Sequence, residues 1–306
     1  MKKEISFIKE EINCPICNIN QPKKLGIRGN REYFGADMNI EPHIFTNVVQ
    51  CAVCNFIYTN PMIRGLEFID REHYNNPEKY QATQDNPSIM FQKRLSFIAK
   101  YKNHGRLLDV GAGKGEFLYE AAKNGWEAVG IEPSPNFCQF VREQYNLNIY
   151  EGFLGQISEI QKKYFDVVTL NHVLEHVEQP VALLKMITEY LADDGLLFVE
   201  VPNTDSYLLR ITDLYFKLKG LDWSSRLSPL HPPYHRYGFT QKSLSYILKK
   251  CNYQLIEMKT FSGKDRGYQK KENGLMLEAF LRNTASKFVH FLGNRELLCV
   301  IAKPIK

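Results

Sequence analysis

The sequence predicts an α/β protein with a doubly wound sheet of seven strands, preceded by a small cysteine-rich module. Two observations predict this. After residue 105, strand-like and helix-like segments alternate along the chain, as in a mostly parallel sheet with helices on both faces. Before residue 60, four cysteines fall into two Cys-x-x-Cys pairs, which is the spacing of a metal-binding module rather than of an α/β core.

Length and composition fit this organisation. The chain has 306 residues, of which 44% are hydrophobic and 24% charged, and a formal net charge of +5. Basic residues are scattered, so the sequence lacks the dense basic stripe of a dedicated nucleic-acid binder. The N-terminus has no signal-peptide core, and no apolar run is long enough to cross a bilayer. We therefore expect a cytoplasmic protein without membrane insertion, whose seven cysteines form no disulfides.

The paired cysteines predict a structural zinc site in a zinc-ribbon-like module over residues 1–60. Each pair suits a tight turn that points two thiolates at one ion, and two turns complete a tetrahedral site. The four expected ligands are Cys14, Cys17, Cys51 and Cys54. Asn18 and Asn55 follow the pairs, where a residue tolerant of left-handed backbone closes the turn. The alternatives are a redox pair and a chance spacing. Three further cysteines lie in apolar surroundings and are expected in the core: Cys138, Cys251 and Cys299.

Residues 61–90 are polar and aromatic and are interpreted as a linker arm, and residues 91–306 as the α/β domain. Its seven expected strands lie at 106–110, 127–132, 147–150, 165–170, 195–201, 253–261 and 296–304. The expected helices lie at 89–101, 115–124, 135–145, 179–191, 240–251 and 275–291. Asp193-Asp194-Gly195 predicts a turn, and Thr240 a helix cap. The alternation breaks over 204–238, an aromatic and basic stretch that we expect to form a substrate lid.

The turn after the first strand of this domain is the most informative motif. Asp109 is followed by glycines at alternate positions, Gly111, Gly113 and Gly115, directly before a helical pattern. Such a turn lets bare backbone approach a ligand. The dinucleotide-binding spacing is Gly-x-Gly-x-x-Gly, but position 116 here is Glu, so a dehydrogenase is the least favoured interpretation.

A second acidic residue supports a nucleoside ligand. Ala128 to Glu132 form a short strand-like run that ends in a carboxylate about twenty residues beyond the glycines. A carboxylate at this place in an α/β fold accepts hydrogen bonds from the two ribose hydroxyls and repels a 2′-phosphate. When Glu132 is considered without the other motif residues, the alternative interpretation is an ordinary charged residue at the end of a strand.

Together these motifs resemble motif I and the following strands of the class I S-adenosylmethionine (SAM) methyltransferases, whose fold is Rossmann-like. The stretch from Phe165 to Glu178 resembles their segment after strand four, and Ala192 to Leu196 their turn before strand five. The chain is similar to members that methylate carbon or oxygen of sugars, polysaccharides and secondary metabolites, several of which carry a cysteine-paired module. The resemblance implies SAM as cofactor and, as acceptor, a sugar nucleotide or glycan precursor.

The resemblance also implies which residues line the SAM pocket: Asp109, Gly111, Ala112, Gly113, Gly115, Glu132, Pro133, Gly152, Phe153, Asn171, His172 and Val173. One departure concerns adenine. Relatives often place an acidic residue toward adenine after strand three, where this chain has Glu151-Gly152-Phe153-Leu154. The adenine contacts are therefore expected from backbone and apolar groups.

An oxygen acceptor requires a base, and histidine suits this role near neutral pH. His235 in the expected lid leads, because it resembles a histidine that precedes a helix start in relatives. His231 and His172 are the alternatives, and Glu175 with His176 is expected to close a helical turn structurally. The candidate substrate-binding residues are Tyr234, Arg236, Tyr237, Arg210 and Arg226. Guanidinium groups suit the phosphate of a phosphorylated or nucleotide-linked small molecule, and solvated surface charge is the alternative.

Two other functions compete with small-molecule methylation. Zinc ribbons also occur beside this fold in RNA methyltransferases, but residues 1–60 hold no basic cluster with interleaved aromatic residues, as an RNA-binding surface would require. The second competing function is that of a non-catalytic scaffold. The intact motif residues argue against it: Asp109, Gly111, Gly113 and Glu132.

Overall fold

A computed structural model describes residues 8–29, 44–64, 87–230, 234–261 and 293–305. Its main sheet has seven strands: β6 (Gly105–Val110), β7 (Trp126–Glu132), β8 (Asn148–Glu151), β9 (Phe165–Asn171), β10 (Leu191–Pro202), β11 (Tyr253–Phe261) and β12 (Leu297–Pro304). The strand order is β11-β12-β10-β9-β6-β7-β8. The α/β class and the seven-stranded Rossmann-like sheet are confirmed.

The topology explains where a ligand can bind. Strands β6, β7, β8, β9 and β10 pair in parallel, whereas β12 pairs antiparallel with both β10 and β11. From β6 the chain first adds β7 and β8 on one side and then returns to place β9 on the other. In doubly wound sheets a ligand crevice is expected where the strand order reverses in this way, here at the carboxyl ends of β6 and β9.

Six helices complete the described part of the α/β domain: α1 (Pro87–Ala99), α2 (Glu116–Lys123), α3 (Pro135–Tyr145), α4 (Pro180–Ile187), α5 (Tyr207–Leu218) and α6 (Gln241–Lys250). The bounds of α3 follow from local chemistry: the Ser134 side chain accepts from the Phe137 amide, and Asn146 ends the helix in a left-handed conformation. Thr240 caps α6 in a capping box with Ser243, which confirms the predicted cap.

Several sequence-based boundaries are wrong. Helix α4 ends at Ile187 rather than at 191. The predicted turn Asp193-Asp194-Gly195 lies inside β10, where the pairing with β9 shifts register between Leu191 and Leu196. The stretch 204–238 is not irregular throughout, because it contains α5. The predicted helix 275–291 and most of the linker arm lie outside the described residues.

The cysteine-rich part forms two small sheets. Strands β2 (Pro22–Gly29), β3 (Phe45–Cys51) and β4 (Ile57–Thr59) make an antiparallel sheet, and β1 (Ile8–Glu10) pairs with β5 (Met62–Arg64). Asn18 and Asn55 have φ angles of 61° and 60°, so the predicted left-handed residues after both cysteine pairs are confirmed. The resulting architecture is a ribbon of short strands with both cysteine turns at one end.

This ribbon packs on the segment that precedes α6. The backbones of Ile57 and Gly238 exchange hydrogen bonds of 3.0 and 2.8 Å. The Phe56 ring lies 5.3 Å from the Tyr237 ring and 5.1 Å from the Phe239 ring, measured between centroids. The Lys250 ammonium also donates to the carbonyl oxygen of Ile16 at 2.6 Å. The ribbon therefore supports residues 237–239 from one side.

None of the helices in the described ranges combines the length and the apolar character that a bilayer crossing requires.

The packing at Phe56 gives the first prediction. This side chain is fully buried at 0% exposure, so Phe56→Ala leaves a cavity and lowers the free energy of unfolding by about 3–5 kcal/mol. Urea unfolding followed by tryptophan fluorescence measures the change. Val53→Ala is the matched control, because Val53 in the adjacent cysteine turn is 43% exposed. Equal effects of the two substitutions would contradict the packing described here.

Candidate active site

The loop between β6 and α2 is shaped by its glycines. The amides of Gly111 and Ala112 both donate to the carbonyl oxygen of Ile131, at 2.8 and 3.0 Å. Gly111, Gly113 and Gly115 have φ angles of +74°, +55° and +70°, a region that residues with a side chain rarely adopt. A Cβ atom at Gly111 would lie 2.6 Å from Val173 Cγ2, whereas nothing lies within 4 Å of one at Gly113. The loop is tightly packed at its first glycine and open at its second.

Asp109 lies at the end of β6 and is buried. Its Oδ1 accepts hydrogen bonds from Thr169 Oγ1 at 2.6 Å and from Asn171 Nδ2 at 3.0 Å. Burial raises the pKa of Asp109 to about 6, while these two donors act in the opposite direction. The carboxylate therefore links β6 to the end of β9, on both sides of the crevice.

Glu132 is held by backbone amides on both carboxylate oxygens. Gly113 donates to Oε2 and Ser134 to Oε1, each at 2.9 Å. Burial raises the pKa of Glu132, and the two amides partly offset this effect. A carboxylate oxygen accepts more than one hydrogen bond, so both oxygens retain capacity for a ligand. The loop and the carboxylate are thus fixed in one arrangement.

The other residues predicted to line the cofactor pocket surround these two carboxylates. Pro133 follows Glu132, and the Gly152 amide donates to the carbonyl oxygen of Glu132 at 3.1 Å. The Phe153 side chain is 59% exposed. The amide oxygen of Asn171 is buried and has no hydrogen-bond partner in the described part of the chain. It is an acceptor that a ligand donor would satisfy.

His172 lies directly after β9 with a φ of 57°. Its Nδ1 is 2.9 Å from Glu175 Oε1 and its Nε2 is 2.8 Å from Glu200 Oε1. Arg94 forms a two-pronged ion pair with the same Glu200 carboxylate. Burial alone would raise the pKa of Glu200, but Arg94 and His172 hold it well below its usual range. Both ring nitrogens of His172 are therefore engaged by carboxylates, which disfavours this residue as a base.

A second group of side chains lies beside the crevice and is called here the acceptor cluster: Glu175, His176 and His235. One carboxylate oxygen and one nitrogen from each ring lie within 4.8 Å of one another. The His176 and His235 ring centroids are 5.1 Å apart. The amides of Arg236 and Tyr237 donate to the carbonyl oxygen of Glu175 at 3.1 and 3.2 Å, which fixes His235 against the turn after β9.

Charges within the acceptor cluster affect each other. Burial of Glu175 would raise its pKa, but His172, His176 and His235 lower it to about 2. Burial lowers the pKa of His176, and Glu175 partly offsets this effect. Glu175 is thus an ionised carboxylate surrounded by imidazole rings.

The structure places the remaining predicted residues as follows. His231 lies outside the described residues. Tyr234 is buried next to His235, and the Tyr237 hydroxyl donates to the carbonyl oxygen of Glu178 at 3.1 Å. The three arginines expected to bind phosphate are each paired with carboxylates: Arg210 with Asp205, Arg226 with Asp205 and Asp213, and Arg236 with Glu178.

Sequence reasoning missed two members of this site. Glu200 was not singled out, although a carboxylate inside the apolar strand 197–202 is the signal that could have found it. Its partner Arg94 lies on α1, 106 residues away in sequence. Glu175 and His176 were expected to close a helical turn, and the structure also brings both side chains close to His235.

The four cysteines come together at one end of the ribbon. The Sγ atoms of Cys14 and Cys54 are 3.5 Å apart, as are those of Cys17 and Cys51, and all four lie within 4.8 Å of one another. These separations are too long for disulfides. They are close to the distance of about 3.8 Å between two sulfur atoms that bind one tetrahedral zinc ion. The Tyr58 hydroxyl is buried without a partner in the described part of the chain, and its pKa is raised by burial and by these cysteines.

The sequence matches the family described as "Methyltransferase domain" over residues 82–258, more than half of the chain. The chain belongs to this methyltransferase family. It is a SAM-dependent methyltransferase, which agrees with the crevice between Asp109 and Glu132. The dehydrogenase and scaffold hypotheses are not supported by this result.

Curated relatives include the ubiquinone biosynthesis O-methyltransferases of Actinobacillus pleuropneumoniae serotype 7 (strain AP76) and Glaesserella parasuis serovar 5 (strain SH0165). They are 28% identical over 174 residues and 30% identical over 175 residues. In both cases the match covers 50% of this chain and 74% of the relative.

Similar solved structures include the Burkholderia thailandensis 1,6-didemethyltoxoflavin-N1-methyltransferase bound to S-adenosylhomocysteine, with a TM-score of 0.51 and 13% identity over 90% of this chain and 99% of that one. The plantazolicin methyltransferase BpumL, also bound to S-adenosylhomocysteine, has a TM-score of 0.51 and 16% identity over 78% of this chain and 95% of that one. At these identities the similarity establishes the fold alone.

The two glycines of the loop give the second prediction. Gly111→Ala and Gly113→Ala both impose a side chain on a left-handed backbone, at about 1–2 kcal/mol each. Gly111→Ala additionally meets Val173 and costs about 1–3 kcal/mol more by overpacking. Urea unfolding of both variants measures the difference, and Val173→Ala in the Gly111→Ala background should recover most of it. Equal destabilisation by the two single substitutions would contradict the close contact.

Proposed function

We propose that this enzyme transfers the methyl group of SAM to a hydroxyl group of a small-molecule acceptor. The single observation that carries the proposal is a juxtaposition: the end of β9 contacts Asp109 through Asn171, and the turn that follows carries Glu175 and His176 of the acceptor cluster. The Val173 side chain of this turn touches the loop at Gly111. The curated relatives are O-methyltransferases, which supports oxygen as the acceptor atom.

On the cofactor side, the proposal assigns the ribose hydroxyls of SAM to the Glu132 carboxylate. The amides of Gly113 and Ser134 already hold this group in place, so binding requires little reorganisation. The loop residues Gly111, Ala112, Gly113 and Gly115 provide the backbone surface against the cofactor. The adenosine side is assigned to Pro133, Gly152 and Phe153, and the amino-acid side to Asn171, His172 and Val173.

The buried amide oxygen of Asn171 provides a test of fit. It has no hydrogen-bond partner among the described residues, and the ammonium group of SAM is a donor of matching chemistry. Asp109 fixes the orientation of this amide by accepting from its nitrogen at 3.0 Å. Asp109 therefore acts in the proposal by positioning Asn171 and the loop.

On the acceptor side, the expectation of a sugar nucleotide receives no support from the relatives. It also drew on Arg210, Arg226 and Arg236 as phosphate ligands, and each of these is already paired with carboxylates. The proposal therefore names a hydroxyl-bearing small molecule without requiring a phosphate. A panel of phosphate-free hydroxyl compounds and sugar nucleotides, scored for methyl transfer, separates the two acceptor classes.

The chemistry is an in-line displacement at the methyl carbon of SAM, in which the positive charge on sulfur is lost. The protein must align the acceptor oxygen, the methyl group and the sulfur, and such alignment supplies about 7–11 kcal/mol in favourable cases. The acceptor hydroxyl must also lose its proton, and the proposal places this step at the acceptor cluster. His235 is the member of that cluster that lies in the expected lid, residues 204–238.

We also propose a structural Zn²⁺ bound by Cys14, Cys17, Cys51 and Cys54. Their Sγ separations fit the donor set. Four protein ligands leave no open coordination position, so the ion would stabilise the ribbon rather than react. Through Phe56 and Ile57 it would also support residues 237–239, next to His235.

The cofactor assignment gives the third prediction. Glu132→Ala removes two hydrogen bonds to a charged acceptor, each worth about 1.5–3 kcal/mol, so S-adenosylhomocysteine should bind about a hundredfold or more weakly. Thermal-shift titration measures this affinity. Glu127→Ala is the matched control, since Glu127 is an exposed residue of the same strand, and it should bind normally. Normal binding to Glu132→Ala would refute the assignment.

The acceptor assignment is tested in the same assay. His235→Ala should keep the thermal shift with S-adenosylhomocysteine, because His235 lies on the acceptor side, and should lose most of its turnover. Wild-type turnover by His235→Ala would remove His235 from the reaction.

The zinc assignment gives the fourth prediction. Purified protein should contain one zinc ion per chain by plasma emission spectrometry, and the Cys51→Ser/Cys54→Ser variant should contain none. The same variant should unfold at a lower urea concentration, because metal binding contributes to folding of such modules. Cys138→Ser, which changes a buried cysteine outside the ribbon, is the control and should retain zinc. Zinc-free wild-type protein would contradict this assignment.

A further inference from the structure

The acceptor cluster has the composition of a metal site. Glu175, His176 and His235 offer one carboxylate oxygen and two imidazole nitrogens, all within 4.8 Å of one another. Two histidines and one carboxylate form a ligand set of mononuclear zinc and iron enzymes, and three protein ligands leave coordination positions open for a substrate. The sequence interpretation of Glu175 and His176 as structural residues does not explain why their side chains converge with His235.

A second observation points to a missing ligand. Glu175 is completely buried, and its Oε2 has no hydrogen-bond partner among the described residues. A buried carboxylate oxygen without a donor or cation is costly. His172 satisfies only the other oxygen, Oε1. A cation placed between Glu175 and the two imidazole rings would remove this cost.

The three side chains are also supported as metal ligands usually are. His172 orients Glu175 through Oε1, and Glu200 in turn contacts the other nitrogen of His172. The amide of His176 donates to the carbonyl oxygen of Val173 at 3.0 Å, which closes the turn that presents Glu175 and His176 together. Partners of this kind orient ligands and tune a metal site.

We propose that the acceptor cluster binds one divalent first-row transition-metal ion, with Glu175, His176 and His235 as its protein ligands. The proposal rests on the proposed function, because it states how the acceptor hydroxyl is activated. Coordination to a divalent ion lowers the pKa of a hydroxyl group. The proton leaves to solvent, the oxygen attacks the methyl carbon of SAM, and the carbon–sulfur bond breaks with its electron pair on sulfur. His235 is then a ligand and not a general base.

Full-length protein is first treated with a chelator until one zinc ion per chain remains, that of the ribbon, and is then titrated with cobalt(II) to test the acceptor cluster. Zinc in the ribbon blocks the four thiolates, so added Co²⁺ should bind with a stoichiometry of one per chain. Its spectrum should show the weak visible bands of nitrogen and oxygen ligands, without the intense charge-transfer absorption of thiolates. Glu175→Gln and His235→Ala should each weaken this binding by about tenfold or more. Glu178→Gln, an exposed neighbour in the same segment, should bind Co²⁺ as the wild type does.

Two results would overturn the proposal: no Co²⁺ binding by wild-type protein that carries zinc in the ribbon alone, or unchanged binding by folded Glu175→Gln and His235→Ala. The thermal shift with S-adenosylhomocysteine, recorded on the same samples, separates this outcome from failure of the proposed function. A retained shift without Co²⁺ binding rejects the metal site alone. Absence of the shift in the wild type rejects the methyl-transfer assignment itself.

Discussion

The carbonyl oxygen of Glu175 is the point on which the organisation of this enzyme depends. It accepts hydrogen bonds from the amides of Arg236 and Tyr237, and so ties the segment before α6 to the turn that ends β9. The next residue, Gly238, pairs with Ile57 of the ribbon. One short stretch of backbone thereby connects the central sheet, the acceptor side of the crevice and the cysteine module, which explains how a distant ribbon can affect the position of His235.

The cofactor side depends on a different constraint, which is the burial of carboxylates that already have donors. Asp109 is bound by Thr169 and Asn171, and Glu132 by two backbone amides. Burial raises the pKa of both groups, and the donors partly offset that effect. Because these groups are already held in place, the proposed binding of SAM here implies little loss of conformational entropy. The glycines of the loop adopt its left-handed backbone without steric strain, and their cost is the conformational entropy lost on folding.

The sequence predicted elements that are decided by local chemistry. Strand 253–261 and helix 135–145 were predicted with the observed bounds, the latter because Ser134, Pro135 and Asn146 mark its ends. The cofactor loop was recognised because its glycine spacing is specific. The Arg94–Glu200 pair and the acceptor cluster were missed because they join residues far apart in sequence, which only the folded topology brings together. The shift of register in β10 was missed because Asp193-Asp194-Gly195 has the composition of a turn.

A crystal structure of the protein with S-adenosylhomocysteine tests the central claim most directly, since that claim places the cofactor at the carboxyl ends of β6 and β7. The account predicts density for the ligand in this crevice, with both ribose hydroxyls bonded to the Glu132 carboxylate and the amino-acid end beside Gly111 and Asn171. Density elsewhere on the protein, or a ribose that contacts neither oxygen of Glu132, would contradict it.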